Sequence, residues 1–266
     1  MLFRSSNFEF IEKNICQPLV EINYDFDIVF HAASPASPPK YLKYAVETMD
    51  VNSIGTRNMI DVALKSKSRF IFFSTSEIYG DPLVHPQKEN YFGNVNTIGP
   101  RSVYDESKRF GEALVSYFAR EQNLNAGIIR IFNTYGPRLD PFDGRVISTF
   151  IRQALKNEAL TLHGDGSQTR SFCYIDDLID GIVSMSKVSE FGPINLGNIN
   201  EISLNELIVQ LESIFNKKLA TKNLPALQDD PMQRKPDISK AQRILNWKPK
   251  VNLIDGLKLT INSFQI

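Results

Sequence analysis

The chain has 266 residues, of which 42% are hydrophobic and 23% charged, and its 30 basic side chains balance its 30 acidic ones. This length is enough to bury a large core in one or two domains, and the zero net charge gives no electrostatic reason to expect nucleic acid or an anionic membrane as a partner. Two cysteines form neither a disulfide framework nor metal-ligand spacing, and no signal peptide or membrane-spanning run is visible, so we expect a cytoplasmic globular protein without a metal.

Short apolar runs alternate with longer helical patterns through the first two thirds of the chain. The predicted strands are Phe8–Ile11, Ile28–Phe30, Phe70–Phe73 and Gly127–Phe132. The predicted helices are Tyr44–Lys65 and Tyr104–Gln122, the second with an apolar face made of Phe110, Leu114, Tyr117 and Phe118. This alternation predicts an α/β fold, with a doubly wound parallel sheet that is covered on both faces.

The pattern changes after about residue 140. Helices are predicted at Val146–Lys156, Ile175–Lys187, Leu204–Phe215, Ile238–Leu245 and Leu253–Phe264. Leu160–His163 separates the first two of these helices, and Gly164-Asp165-Gly166 after it is interpreted as a tight hairpin turn. The basic cluster Gln233-Arg234-Lys235 is typical of a solvated surface. We expect this part to form a smaller mixed lobe against the sheet.

A tyrosine and a lysine lie four residues apart at the start of the second predicted helix, in Tyr104-Asp105-Glu106-Ser107-Lys108. Residues four apart share a helical face, so the Lys108 ammonium is expected to lie near the Tyr104 phenol and to lower its pKa towards neutrality, as a general base requires. The pair alone has little specificity, because any long helix can contain it.

A hydroxyl-rich segment, Ser74-Thr75-Ser76-Glu77-Ile78-Tyr79-Gly80, follows the strand at Phe70–Phe73. Open α/β sheets bind ligands at the carboxyl ends of their strands. Thr75 is therefore placed to hydrogen-bond the substrate hydroxyl that Tyr104 deprotonates, and Glu77 adds a carboxylate. The alternative is a capping segment that satisfies free amides.

Together with further segments, these residues resemble the extended short-chain dehydrogenase/reductase family, the nucleotide-sugar epimerases, dehydratases and decarboxylases. Within it the chain is most similar to the UDP-glucuronate decarboxylases. The segments that carry the resemblance are His31–Pro38, Ser74–Pro82, Gly99–Lys108, Arg130–Arg138, Asp143–Val146, Gly164–Phe172 and Arg234–Asp237.

The resemblance implies an N-terminally truncated Rossmann-like unit that binds NAD over residues 1–140, with segments from 171–197 returning to it. It also implies a nucleotide-sugar lobe, α+β in class, over most of 141–266. The catalytic residues it implies are Thr75, Ser76, Glu77, Tyr104, Lys108 and Arg170. The cofactor-binding residues are Ala32, Ala33, Asn52, Ser74, Tyr104, Lys108 and Arg145. The substrate-binding residues are Ser34, Asn133, Arg145, Arg170 and Arg234.

The sequence departs from the family pattern at the dinucleotide fingerprint. No glycine-rich G-x-G-x-x-G turn follows a strand, and Phe8–Ile11 matches the third strand of the family's sheet. Asp50 stands where the decarboxylases often carry a lysine. Three explanations stay open: a fragment of an ordinary enzyme, a truncated homologue that retains its catalytic residues, and a non-catalytic binding module.

Decarboxylation of UDP-glucuronate through a 4-keto intermediate is the function that the resemblance favours, with a nucleotide-sugar 4,6-dehydratase or 4-epimerase as the alternative. Ser76 argues against dehydratases of the dTDP-glucose type, because a serine hydroxyl is a poor acid at neutral pH. The helices Tyr44–Lys65 and Tyr104–Gln122 match those that relatives pack between subunits, which implies a homodimer.

Overall fold

The computed structural model describes residues 8–19, 22 and 24–264. The first six residues, in which no signal peptide was found, lie outside the described part. The strands are β1 (Ile28–His31), β2 (Arg69–Thr75), β3 (Ala126–Ile131), β4 (Thr134–Tyr135), β5 (Leu160–His163), β6 (Thr169–Ser171), β7 (Cys173–Tyr174), β8 (Ile194–Leu196), β9 (Glu201–Ser203) and β10 (Thr221–Leu224). The helices are α1 (Pro38–Lys43), α2 (Ala45–Asp50), α3 (Thr56–Ser66), α4 (Ser102–Glu121), α5 (Val146–Leu155), α6 (Ile175–Ser186), α7 (Leu204–Phe215), α8 (Ser239–Leu245) and α9 (Leu253–Ser263).

The main sheet is parallel throughout, with the strand order β1-β2-β3-β8. Ile71 of β2 pairs with Phe30 of β1 on one side and with Gly127 of β3 on the other. All but one of the residues of β2 are buried, as expected of a central strand that is covered on both faces. This arrangement confirms the predicted α/β fold.

Helices cover the two faces of the sheet and bury separate apolar clusters. On one face α3 and α4 pack against β2, with Ile60, Phe72 and Val115 in the cluster. On the other face α6 and α8 contribute Leu178 and Leu245. The predicted helices in the second half of the chain are present, each within about one residue of its predicted bounds.

The predicted strand Phe8–Ile11 is wrong. The structure assigns no strand there, and the side chains of Phe8, Phe10 and Ile11 are exposed. A short apolar run has the pattern of a buried strand whether or not a neighbouring strand pairs with it. The pattern alone therefore could not distinguish a paired strand from an exposed segment.

The predicted single helix Tyr44–Lys65 begins one residue later, at Ala45, and is interrupted once within its bounds. The chain turns at Tyr44 between α1 and α2, and Val51–Gly55 then forms a π-helical turn that leads directly into α3. A π turn holds one residue more than an α turn and is common at functional sites. Here it contains Asn52, a predicted cofactor residue.

The predicted apolar face of α4 is also wrong in part. Phe118 is buried, but Phe110 and Tyr117 are about half exposed. The face that meets the sheet instead carries Tyr104, Lys108, Gly111 and Val115, which places the predicted catalytic pair on the inner side of the helix.

Gly111 lets α4 approach β2 closely, since a Cβ atom there would lie 2.5 Å from Cζ of the buried Phe72 ring. Alanine normally stabilises a helix interior over glycine by about 1 kcal/mol. We expect Gly111→Ala to reverse that sign and lower the free energy of unfolding by about 1–3 kcal/mol, the usual range for an overpacked core. Urea unfolding measures it, with Ser116→Ala on the same helix as the control. A Gly111→Ala variant more stable than the parent would contradict this packing.

The second lobe has its own core, in which α5, α7 and α9 bury Phe150, Leu207 and Leu257. Gly164 and Gly166 make the predicted turn, both with positive φ. The hairpin prediction is wrong, however, because β5 pairs in parallel with β10 and β6 pairs with β9. Within the described residues no helix is both long and apolar enough to cross a membrane.

Candidate active site

A cavity of about 350 Å³ opens where β1, β2 and β3 end, and the second lobe forms its opposite wall. It collects most of the predicted site residues, namely Ala32, Ser34, Ser74, Thr75, Ser76, Glu77, Tyr104, Lys108, Asn133, Arg145, Arg170 and Arg234. Ala33 and Asn52 do not line it. Asn52 lies one step behind the wall, where its side-chain amide donates to the hydroxyls of Ser34 and Ser107 at 3.1 and 3.0 Å.

Tyr104 projects from the first turn of α4 and is almost fully buried. The ring of Tyr41 stacks on it, with 5.0 Å between centroids and 4° between planes, so the orientation of the phenol is fixed from behind. The Lys108 ammonium lies 5.9 Å from the centre of the Tyr104 ring and donates to the carbonyl oxygen of Phe73 at 2.9 Å. The helix therefore brings the predicted pair together.

The predicted lowering of the Tyr104 pKa is wrong for the chain by itself. Burial raises that pKa well above its ordinary value, and the negative charge of Glu77 raises it further, while a hydrogen bond with Thr75 and the charge of Arg145 act in the opposite direction. Lys108 offers little help, since burial lowers its own pKa to about 7. The desolvation of the buried phenol thus outweighs the effect of the nearby amine, on which the prediction depended.

Glu77 is the centre of the buried charge in the cavity. Arg101 donates to its Oε2 at 2.5 Å, and Arg234 donates to both of its carboxylate oxygens at 2.6 and 2.7 Å. Although burial opposes ionisation, the two guanidinium groups hold the pKa of Glu77 at about 2. Glu77 is thus a fixed anion at neutral pH.

Two of these contacts change the interpretation of the sequence. Arg234 is buried, so the predicted solvated surface at Gln233-Arg234-Lys235 is wrong for its central residue. Arg101 was not singled out at all, and its place three residues before Tyr104 carries no pattern that would mark it. Only the tertiary structure brings its guanidinium to Glu77.

The other predicted arginines have carboxylate partners of their own. Arg170 donates to Asp230 Oδ2 at 2.8 Å rather than to Glu77. Arg145 pairs with Asp143. Ser74, at the end of β2, donates to Glu112 at 2.6 Å. Asn133 Nδ2 and Asn52 Oδ1 are buried without a hydrogen-bond partner, and such groups leave polar capacity for a ligand.

Comparison with known proteins agrees with this geometry: residues 6–197 match the NAD dependent epimerase/dehydratase family. The chain belongs to that family. It is 47% identical over 259 residues to UDP-glucuronic acid decarboxylase 3 of Arabidopsis thaliana, an alignment that covers 97% of this chain and 75% of the relative. UDP-glucuronic acid decarboxylase 1 of Danio rerio is 45% identical over 258 residues, which cover 97% of this chain and 61% of the relative.

A solved structure of the same fold is the UDP-glucuronic acid 4-epimerase from Bacillus cereus in complex with UDP-glucuronic acid and NAD. It is 30% identical and superimposes with a TM-score of 0.89 over 98% of this chain and 82% of that protein. The Rossmann-like fold expected from the sequence is thereby confirmed for this epimerase/dehydratase family member.

Asp105, which follows Tyr104 in α4, adds a titratable group near the cavity. It is buried, its Oδ1 has no hydrogen-bond partner, and burial together with the charge of Glu77 raises its pKa to about 8. An Asp with a folded pKa above the unfolded value of about 3.9 contributes stability below that value and loses it as the pH rises through the folded pKa.

We therefore expect Asp105→Asn to match the parent near pH 4 and to be more stable than the parent by a few kcal/mol at pH 9, since about 1.4 kcal/mol accrues per pH unit of the window. Urea unfolding at both pH values checks this, with Asp180→Asn, on the exposed side of α6, as the control. A difference that does not grow between pH 4 and pH 9 would show that Asp105 is ionised in the fold.

Proposed function

We propose that the chain catalyses the NAD-dependent decarboxylation of UDP-glucuronate to UDP-xylose through a 4-keto intermediate. The observation that carries the proposal is the meeting of Tyr104, Lys108 and Thr75 at the end of β2, inside a cavity whose arginines suit an anionic sugar. Guanidinium forks match the geometry of carboxylate and phosphate groups. The names of the plant and fish relatives support the same substrate.

The residues that would hold the cofactor are Ala32, Ala33, Asn52, Ser74, Tyr104, Lys108 and Arg145. They fit a dinucleotide in two respects. The small side chains of Ala32 and Ala33 after β1 are exposed, and Asn52, which contacts Ser34 through its amide nitrogen, has an unpartnered Oδ1. When bound, NAD accepts a hydride from the sugar and returns it, so no external reductant is consumed. Lys108 would hold the nicotinamide ribose.

Tyr104 takes the proton of the sugar 4-hydroxyl, and the Thr75 hydroxyl shares that contact. Because burial raises the Tyr104 pKa in the chain alone, the phenol requires added positive charge to act as a base. Lys108, which is partly protonated at neutral pH because its pKa is about 7, would provide some of that charge, and a bound NAD in its oxidised form would provide the rest. The base therefore forms in the complex and not in the free chain.

Decarboxylation follows from the 4-keto group, which is β to the sugar carboxylate. Carbon dioxide leaves as its bonding electrons delocalise into an enolate. Arg170 and Glu77 orient the carboxylate and the enolate, and the Ser76 hydroxyl passes one proton from water to the enolate carbon. Glu77 stays ionised because its pKa is about 2, so it orients the group and does not donate the proton. Asn133, Ser34, Arg145 and Arg234 hold the nucleotide sugar.

The two parts of the chain divide this work. Residues 1–140, with the returning segments of 171–197, form the cofactor side, and the rest of 141–266 forms most of the nucleotide-sugar side.

Incubation of the chain with NAD and UDP-glucuronate tests the function, and the expected products are carbon dioxide and UDP-xylose. UDP-galacturonate without gas would instead indicate a 4-epimerase, the activity named for the Bacillus cereus structure. A 4-keto-6-deoxy sugar from a neutral nucleotide sugar would indicate a 4,6-dehydratase.

A non-catalytic binding module is the remaining alternative. It predicts no turnover of any nucleotide sugar, no heat on titration with millimolar NAD, and association with a full-length homologue. Calorimetry with NAD separates the two possibilities before any assay of activity.

Dimerisation and location complete the proposal. Exposed apolar side chains of α2, the π-helical turn and α4 (Val46, Met49, Ile54, Phe110 and Tyr117) support a homodimer that is formed through these helices. Sedimentation should give twice the mass of the chain, and Phe110→Asp should reduce the measured mass to that of one chain.

Cys16 and Cys173 are both free thiols, which supports the cytoplasm as the location.

A further inference from the structure

An irregular segment joins β10 to α8 and passes along the cavity. We call residues 225–235 the mouth segment, and three of its side chains, Leu227, Asp230 and Arg234, line the cavity. Asp230 and Glu77 are the carboxylates among the lining residues. The role of Glu77 follows from the site already described, whereas that of Asp230 does not.

Asp230 bridges two arginines from different parts of the fold. Its Oδ2 accepts a hydrogen bond from Arg170 Nη2 at 2.8 Å, and its Oδ1 lies 3.5 Å from Arg101 Nη1. Arg170 also donates to the carbonyl oxygen of Thr169 at 2.8 Å, so this guanidinium is fixed without Asp230 as well. The contact with Asp230 thus uses Nη2 of Arg170, while Nη1 stays with the backbone.

The charges of the cavity explain why a carboxylate is found there. Arg101, Arg170 and Arg234 lie close together, and Glu77 compensates only part of their charge. Consistent with this crowding, burial and the neighbouring Arg234 lower the Arg170 pKa. Like charges in a buried site repel strongly, and an added anion relieves that repulsion. Asp230 supplies this anion from within the chain.

We infer that Asp230 is a specificity-determining residue, an internal carboxylate that occupies the anion position of Arg170 until an anionic group of the ligand displaces it. The inference rests on the proposed function, which supplies a ligand with a carboxylate and a diphosphate. A ligand enters the cavity fully only if its anionic group binds Arg170 more tightly than Asp230 does. The mouth segment therefore selects for negatively charged ligands.

The surrounding contacts allow the exchange without unfolding of the segment. On the outside of the segment, Asn96 donates a hydrogen bond to Asp229 at 3.1 Å. The amide of Met232 donates to Asp81 at 3.1 Å, and its carbonyl oxygen accepts from the Thr169 amide at 2.9 Å. The Asp230 side chain retains 25% exposure, so water can solvate it once it leaves Arg170. Rotation of the Asp230 side chain alone is therefore sufficient for the exchange.

Calorimetric titration of the NAD-supplemented chain with UDP, UDP-glucose and UDP-glucuronate, in a Tyr104→Phe background that suppresses turnover, tests the inference. We expect Asp230→Asn to lower the Kd about tenfold, the equivalent of about 1.4 kcal/mol, because the internal competitor is lost. The same variant should unfold at a lower temperature without ligand, because the arginines repel. Asp229→Asn changes the neighbouring carboxylate outside the cavity and should leave the Kd as in the parent.

The ligands distinguish the displacing group. A gain for all three identifies the diphosphate, and a gain confined to UDP-glucuronate identifies the sugar carboxylate. A Kd that is unchanged or weaker in Asp230→Asn overturns the inference, as does binding of none of the three ligands by either form. These are binding measurements, so a chain that binds ligand but yields no UDP-xylose refutes the proposed function alone.

Discussion

Tyr104→Phe should reduce turnover of UDP-glucuronate by a factor of about 100 to 10,000, the contribution expected of a positioned general base. The change removes one oxygen atom and keeps the ring, so the stack with Tyr41 and the buried packing stay intact. Proton removal from the sugar hydroxyl then lacks its acceptor, since Thr75 has no comparable basicity. Release of carbon dioxide, followed under saturating substrate, is the measurement.

Tyr117→Phe is the matched control, because it removes the same atom from the same helix at an exposed position. It should retain parental activity. The unfolding midpoint of Tyr104→Phe should equal or exceed that of the parent, which would exclude a folding defect as the cause. Undiminished turnover by an active Tyr104→Phe preparation would rule out the proposed proton transfer.

Glu77→Gln should lower the free energy of unfolding by about 3–5 kcal/mol, the usual result of removing one partner of a buried ion pair. Two buried guanidinium groups, those of Arg101 and Arg234, would lose their shared anion. Activity should fall as well, because both arginines would be free to shift within the cavity. Denaturant unfolding at neutral pH measures the first effect.

The contribution of Glu77 also has a defined pH window. Its folded pKa of about 2 lies below the unfolded value of about 4.3, so the stabilisation is present above pH 4.3 and is lost as the pH falls towards 2. The Gln variant should lack this acid-dependent loss. Glu106→Gln, whose carboxylate pairs with Arg109 near the surface, should change stability by less than about 1 kcal/mol. Equal stability of Glu77→Gln and the parent would mean that the ion pairs contribute nothing net.

Sequence reasoning succeeded where a local rule sets the geometry. Tyr104 and Lys108 meet because a helix brings residues four apart to one face, and Thr75 reaches them because parallel strands end at a common edge. It could not identify Arg101 or Asp230, whose roles depend on contacts across 24 and 60 residues of sequence with Glu77 and Arg170.

Two further predictions were wrong because burial was not visible in the sequence. The helical spacing correctly placed an amine beside the phenol, but desolvation then reversed the pKa shift that was predicted for Tyr104. In the same way, Phe110 and Tyr117 satisfied the apolar spacing of α4 yet lie on its outer side. Periodicity identifies a face, but only the packed structure decides which face turns inward.

The π-helical turn at Val51–Gly55 holds one residue more than a regular helix would need between α2 and α3. Each residue of a regular helix advances the direction of the side chains by about 100°, so a residue lost before or after the turn would rotate α2 relative to α3 by that angle. Either Asn52 would then leave Ser107, or Ile60 would leave the core. A deletion within the turn itself would instead remove the extra residue, restore regular α-helix and keep the two flanking helices in register. Homologous chains that are one residue shorter in this helix should therefore carry the deletion within the turn.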